Sequence, residues 1–419
     1  MNEINFLQPI MLSIGELRGI VEKEFKIVKS YYAMGTNIPT FIVERIGDAK
    51  KLNGAFNRVQ EEVSSKETFA LLREVVKTER LKLDTSKYLS LKFIPARKEG
   101  KSRTWLNVVL LIATIGTVFI AATFNLWSDP LYFPNFINTM PGLFFLISYT
   151  LAILGIIGIH ELGHLFAARR HRIKSTLPFF IPFIPPIGTM GAVIIQKTPP
   201  KNRDELFDLG LSGPLAGFII SLIVAIIGFL ISGIFLKMDY MSALMTIYSR
   251  LPIWLAGPPI HDWVNVSSNS PDPLIFYLLS WALTKSPVSV SPTALNLIAF
   301  NNSSMYVTVL HTITFAAWIG FFVTGLNLMP ISQLDGGHVI RALLGNKYYK
   351  YASYVALVVL FLINFIFAIL VLALSRFNLT HPGPLNDVTP LSKSRKIISI
   401  VFFVILVMTI PLGSLLFMY

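Results

Sequence analysis

"LFFLISYTLAILGIIGIHELGHLFAARR" (residues 143–170) decides the fold, because it is apolar for long enough to cross a bilayer and still carries two histidines and a glutamate. Each ionisable group in such a helix costs about 2.5–3.5 kcal/mol on insertion scales. His160 and His164 stand at i and i+4, so a helix projects both imidazoles from one face, and Glu161 reaches the edge of the same place. That is the H-E-x-x-H pattern, in which the histidines hold a metal ion and the glutamate acts as general base toward water. Glu161 lies roughly 12 Å along the helix from Arg169, at about 1.5 Å per residue, so the group is buried toward the basic end of the span. Zinc binding is worth about 10–16 kcal/mol in structural peptide sites, enough to offset three ionisable groups in an apolar helix.

Composition agrees with a membrane setting. Of 419 residues, 53% are hydrophobic and only 14% are charged, against about 25% in soluble domains. There are no cysteines, which excludes disulfides, iron–sulfur clusters, thiolate zinc sites and a cysteine nucleophile, and leaves His, Asp and Glu as metal ligands. The net charge of +13 accompanies no basic patch with interleaved aromatics, so no nucleic-acid partner is expected. Basic residues on cytoplasmic segments and attraction to an anionic lipid bilayer account for it. The opening "MNEINFLQPIMLSIGELRG" lacks a basic start, a short apolar core and a cleavage site, so the N-terminus is expected to be retained.

The expected fold is a multi-pass α-helical membrane protein with about six transmembrane helices, a re-entrant Pro/Gly-rich segment and a small N-terminal α+β domain in the cytoplasm. Residues 1–104 hold most of the charge. "FKIVKSYYAM", "PTFIVERI", "TFALLREVV" and "YLSLKFIPA" read as strands, and "DAKKLNGAFNRVQEEVSS" as a helix. The expected spans are Trp105–Trp127, Leu143–Ala168, Leu211–Leu236, Met305–Met329, Tyr351–Leu374 and Ile397–Met418. "LPFFIPFIPPIGTMGAVIIQ" (177–196) is too rich in proline and glycine for a straight helix, so a re-entrant loop or hairpin is expected. Residues 237–304 form a long connection whose short apolar stretches, among them "DPLIFYLLSWALT", suit the membrane interface. Basic residues at 169–174, 197–203 and 341–350 put the N-terminus in the cytoplasm of a cell-membrane protein. With six spans, Arg376, Lys393, Arg395 and Lys396 face the other side, against that rule.

A hydrolytic zinc needs a third protein ligand and an open position. Asp335, in "GFFVTGLNLMPISQLDGGHVIRALLG" (320–345), reaches the same side at similar depth in this topology, and His338 competes with it. "HELGH" in one span with "NLMPISQLDGGH" in a later one resembles the site-2 protease family of intramembrane zinc metalloproteases. "GLSGPLAGF" (210–218) and the segment ending in "GTMGAVI" are also similar to that family's intervening segments.

The resemblance covers roughly residues 105–345, an intramembrane metalloprotease core between the N-terminal domain and C-terminal transmembrane helices at 346–419. It implies one Zn2+ per chain on His160, His164 and Asp335, with Glu161 as general base and a transmembrane protein as substrate. Asn327 takes the position that the family uses to polarise the scissile carbonyl or hold substrate, and helix capping is its other reading. The implied enzyme is a zinc metalloendopeptidase of regulated intramembrane proteolysis. The alternative is a transporter of metal or other ions using the same His/Asp cluster for translocation, which gives Glu161 no required role.

Overall fold

The computed structural model describes residues 12–33, 36–75, 87–96, 104–127, 140–185, 187–235, 237–239, 274–284, 288–290, 297–300, 306–309, 312–332, 334–363, 365–374 and 380–410. The N-terminal region runs α1 (Ile14–Glu22), β1 (Ile27–Ala33), β2 (Ile38–Glu44), α2 (Ala49–Ser64), β3 (Thr68–Glu74) and β4 (Tyr88–Pro95). The four expected strands and the expected helix are all present. Their antiparallel sheet has the order β1-β2-β4-β3.

Helix α1 was not foreseen. Ser13 and Glu16 form a reciprocal capping box at its start, satisfying N–H groups that the first turn leaves without intrahelical partners. Leu17, Ile20 and Val21 of α1 and Leu52, Phe56 and Val59 of α2 pack on Phe41, Leu91 and Phe93 of the sheet. Burying a side chain of this kind is worth roughly 1.5–3 kcal/mol.

The bundle begins with α3 (Thr104–Trp127) and α4 (Met140–Arg170). A two-stranded hairpin follows, β5 (Phe179–Pro182) with β6 (Thr189–Val193), and then α5 (Arg203–Phe235). The Pro/Gly segment is thus a hairpin, carried on α3. Asn107 Nδ2 donates to the carbonyls of Leu177 and Pro178 at 3.1 and 2.9 Å, and Thr117 Oγ1 to that of Gly188 at 2.7 Å. Gly188 has φ +82° and lies against the α3 backbone, where a Cβ would have no room.

Beyond α5 lie β7 (Lys237–Asp239), α6 (Leu274–Thr284), β8 (Val288–Val290), β9 (Leu297–Phe300) and β10 (Tyr306–Val309). These strands form a second antiparallel sheet, β7-β10-β9-β8. Helix α6 falls within the "DPLIFYLLSWALT" stretch; its Phe276 is fully buried, 5.2 Å from the ring of Phe229 in α5. Most of the other apolar stretch of that connection, "DYMSALMTIYSRLPIWLAG", lies outside the described residues.

Helices α7 (Thr312–Asn327), α8 (Asp335–Ile363), α9 (Phe365–Leu374) and α10 (Lys393–Thr409) complete the chain. Among the described residues, three helical segments are long and apolar enough to cross a membrane: Thr104–Thr123, Leu143–Arg170 and Arg203–Ile231. Ile313–Asn327 is a shorter apolar helix.

The expected span Tyr351–Leu374 is divided between two helices, α8 to Ile363 and α9 from Phe365. The rings of Tyr349 and His381 are 5.8 Å apart. A straight helix from Tyr349 to Leu374 would be about 37 Å long, and the stretch from there to His381 reaches at most about 24 Å fully extended. The chain therefore turns back between Tyr349 and His381, past the break between Ile363 and Phe365 that separates α8 from α9.

This reversal returns residues 380–392 to the end of the bundle that carries the N-terminal sheet. Leu385 and Asp387 bond the backbone of Leu72 in β3 at 2.9 and 3.2 Å, and Leu385 and Asn386 donate to the carbonyls of Pro200 and Lys201. Arg341 donates through both terminal nitrogens to the Asp387 carboxylate at 2.9 and 2.7 Å. Arg395, expected on the opposite side, instead grips Asp204 and Asp208 at the start of α5. Lys393, Arg395 and Lys396, which conflicted with the charge rule, therefore lie on the same side as the others, and Arg376 is outside the described residues.

Candidate metal centre

Three helices bring the candidate ligands together: α4 supplies His160 and His164, and α8 begins with Asp335. Asp335 Oδ2 is 3.3 Å from His160 Nε2 and 3.2 Å from His164 Nε2, and the two Nε2 atoms are 3.2 Å apart. Helix α5, the third, packs close because it meets them with glycines. A Cβ on Gly213 would strike the His164 ring, one on Gly217 the His160 ring, and one on Gly210 the backbone of Asp335 and Cβ of His338. The "GLSGPLAGF" stretch is thus a close-packing face, as small residues commonly are between helices in membranes.

The donor set fits zinc. His164 Nδ1 lies 2.9 Å from the Leu209 carbonyl, which can only accept, so Nδ1 carries the hydrogen and Nε2 presents a lone pair. That lone pair converges with an imidazole nitrogen of His160 and a carboxylate oxygen. Ligand atoms about 2.0–2.1 Å from a tetrahedral zinc stand roughly 3.3–3.4 Å from one another, close to the separations here. Among the described residues, these three form the one group of His, Asp and Glu side chains placed to share an ion.

Glu161 is buried and lines the same cavity, of about 240 Å³, with Asn327, His338, Gln196 and the hairpin residues Ala192, Val193 and Ile194. Asn327 ends α7, with Nδ2 3.4 Å from His160 Nε2. Every candidate named from the sequence therefore lies at one place.

His338 lines the cavity too, but its Nδ1 is engaged by Nε2 of His381 at 2.7 Å. His381 was missed because no motif marks it; only the fold brings it back to α8. Burial first, and then the nearby His338 and Arg341, together push its pKa down to about 2.

Residues 148–371 match peptidase family M50. The chain is 26% identical over 245 residues to the probable zinc metalloprotease EGY2, chloroplastic, of Oryza sativa subsp. indica, covering 56% of this chain and 36% of that protein. To the probable zinc metalloprotease EGY1, chloroplastic, of Oryza sativa subsp. japonica it is 25% identical over 264 residues, or 59% of this chain and 39% of that one. The probable zinc metallopeptidase EGY3, chloroplastic, of Arabidopsis thaliana is 24% identical over 248 residues, or 57% and 36%. The chain spans little more than a third of the length of these curated relatives. No solved structure matches it.

Proposed function

This chain belongs to peptidase family M50, and from that premise we propose that it is an intramembrane zinc metalloprotease cutting transmembrane segments of other proteins. The observation that carries the reading is the convergence of His160, His164 and Asp335 beside a buried glutamate, on helices whose outer faces are apolar.

In this reading His160, His164 and Asp335 hold one zinc ion per chain. Zinc held there supplies Lewis acidity, which polarises a carbonyl and makes water a nucleophile near neutral pH. Glu161 accepts the proton of the attacking water and passes it to the leaving amine. Leu209, through His164 Nδ1, keeps the imidazole lone pair aimed inward. Asn327 lines the cavity with an amide able to donate to the carbonyl oxygen of the scissile bond.

A helical substrate hides its peptide bonds, so it must be unwound to be cut. Strand β6 supports such a step: β5 pairs with one of its edges, the other is unpaired among the described residues, and Ala192 and Val193 line the cavity. An extended substrate added to that edge would lie across the site. The N-terminal sheet, residues 197–203 and the 380–396 segment then face the cytoplasm together, as Lys197, Lys201, Arg203, Lys393, Arg395 and Lys396 favour.

Glu161→Gln tests the reading. It keeps the size of the side chain, removes a carboxylate that is not a ligand, and should leave about one zinc per chain. Cleavage of a reconstituted single-span substrate should fall about 10²–10⁴-fold. Undiminished cleavage with zinc in place would refute the mechanism. Unchanged ion flux, with cleavage absent from the wild type, would favour a translocation site.

A further inference from the structure

The side chain His338 lies outside the ligand set, yet its hydrogen-bond state follows from a single backbone group. The N–H of Gly383 donates to His381 Nδ1 at 2.9 Å. A backbone N–H cannot accept, so that nitrogen carries a lone pair and the neutral ring holds its hydrogen on Nε2. His381 Nε2 faces His338 Nδ1 at 2.7 Å and must donate to it. His338 Nδ1 is then an acceptor, and its own hydrogen sits on Nε2. The reverse arrangement would leave His381 with no hydrogen on either nitrogen.

The rest of the environment holds this chain of bonds in place. Gly383 has φ +73°, and a Cβ there would meet the Arg341 guanidinium. Arg341 is buried and fixed on Asp387. The His338 and His381 rings meet edge to face with centroids 4.7 Å apart, and Tyr349 packs on His381. His338 lines the cavity, and no acceptor among the described residues is bonded to its Nε2.

We infer that His338 is a catalytic hydrogen-bond donor, presenting Nε2–H to the carbonyl oxygen of the scissile bond alongside Asn327, and that His381 is the positioning residue that fixes this tautomer. The inference rests on the protease reading and adds to it a second donor, held by a segment that also bonds the N-terminal sheet. Negative charge grows on that oxygen during attack, and a preorganised donor stabilises it most at that moment.

The test uses the full chain, zinc-loaded and reconstituted with a single-span substrate. His338→Leu should keep its zinc and KM while kcat falls about 10²–10³-fold, as for loss of one such donor. His338→Gln, which restores an amide donor, should recover part of the loss, and His381→Phe should lower kcat by less than His338→Leu. Imidazole ¹⁵N shifts of the wild-type protein should show both rings protonated on Nε2 alone, a readout that needs neither activity nor a variant that folds. Unchanged kcat in His338→Leu, or a hydrogen on Nδ1 of His338, would overturn the inference. Zinc loss in His338→Leu equal to that in His164→Ala would do so too, by making His338 a ligand. Failure of the protease reading has a different signature, no cleavage by the zinc-loaded wild type.

Discussion

In the N-terminal region, the ion pairs Arg18–Glu22, Lys23–Glu62 and Arg58–Glu24 sit outside a core of Phe41, Phe56 and Phe93. In the bundle, Leu151, Phe166 and Leu362 face outward, while His160, Glu161 and Arg341 are buried. Each region has sorted its residues for a different solvent. Water rewards the first arrangement by about 25 cal/mol per Å² of apolar surface removed from it. Hydrocarbon gives helices no such drive to associate, so the bundle relies on close packing at glycines and on polar groups satisfied inside. A buried charged side chain in the bundle therefore marks chemistry or a satisfied polar contact, since apolar side chains there are at home both inside and on the outer face.

The contrast can be broken most forcefully at Phe56, which is fully buried under α2. Phe56→Ala should cost the N-terminal sheet about 3–5 kcal/mol, seen as proteolytic nicking within residues 12–96. Leu151→Ala, on the outward face of α4, should change little in lipid, because that side chain meets lipid whether or not the bundle is packed. If the two substitutions cost the same, the regions do not face different media.

A smaller effect is expected at the glycine face. Gly213→Val drives a side chain into the His164 ring and should weaken zinc binding by about 10–100-fold, the range for disturbed ligand support. The N-terminal sheet should melt as before. Zinc titration beside thermal unfolding of the sheet checks both halves; a sheet that melts earlier would mean the regions fold as one unit.

The smallest effect concerns the segment joining the two. His381 has its pKa held at about 2, far below the usual 6.5, so the undocked segment binds the proton more readily than the docked one. Docking is then fully stable above about pH 6.5 and loses at most about 1.4 kcal/mol for each unit below it. Protease access to residues 380–391 should rise between pH 7 and 5, and His381→Gln should flatten that rise. A flat wild-type profile would place the histidine outside the docking equilibrium.

Much of this was legible in the sequence because local spacing carried it. His160 and His164 share a helix face by periodicity alone, and alternation marked β1 to β4. The prolines and glycines of 177–196 forbade a straight helix. Helix α1 carried a readable signal, Ser13 with Glu16, in a stretch weighed only as a targeting segment. The break between α8 and α9 left no such mark, since both helices are apolar there and hydropathy cannot see an interruption between them. His381 and Asp387 gain their partners only through tertiary contacts, so nothing near them in the chain announces either.

The bonds between β3 and residues 385–387 also set an order of assembly. Arg73 donates to the carbonyl of Leu385, 312 positions later in the chain. The sheet leaves the ribosome long before its edge partner is made, and contacts this distant are the slow ones to form. Until then β3 offers an open strand edge, a template for unwanted pairing with other chains. Chains truncated before residue 385 should keep the sheet and aggregate through that edge, and a synthetic peptide spanning 380–391 should suppress it.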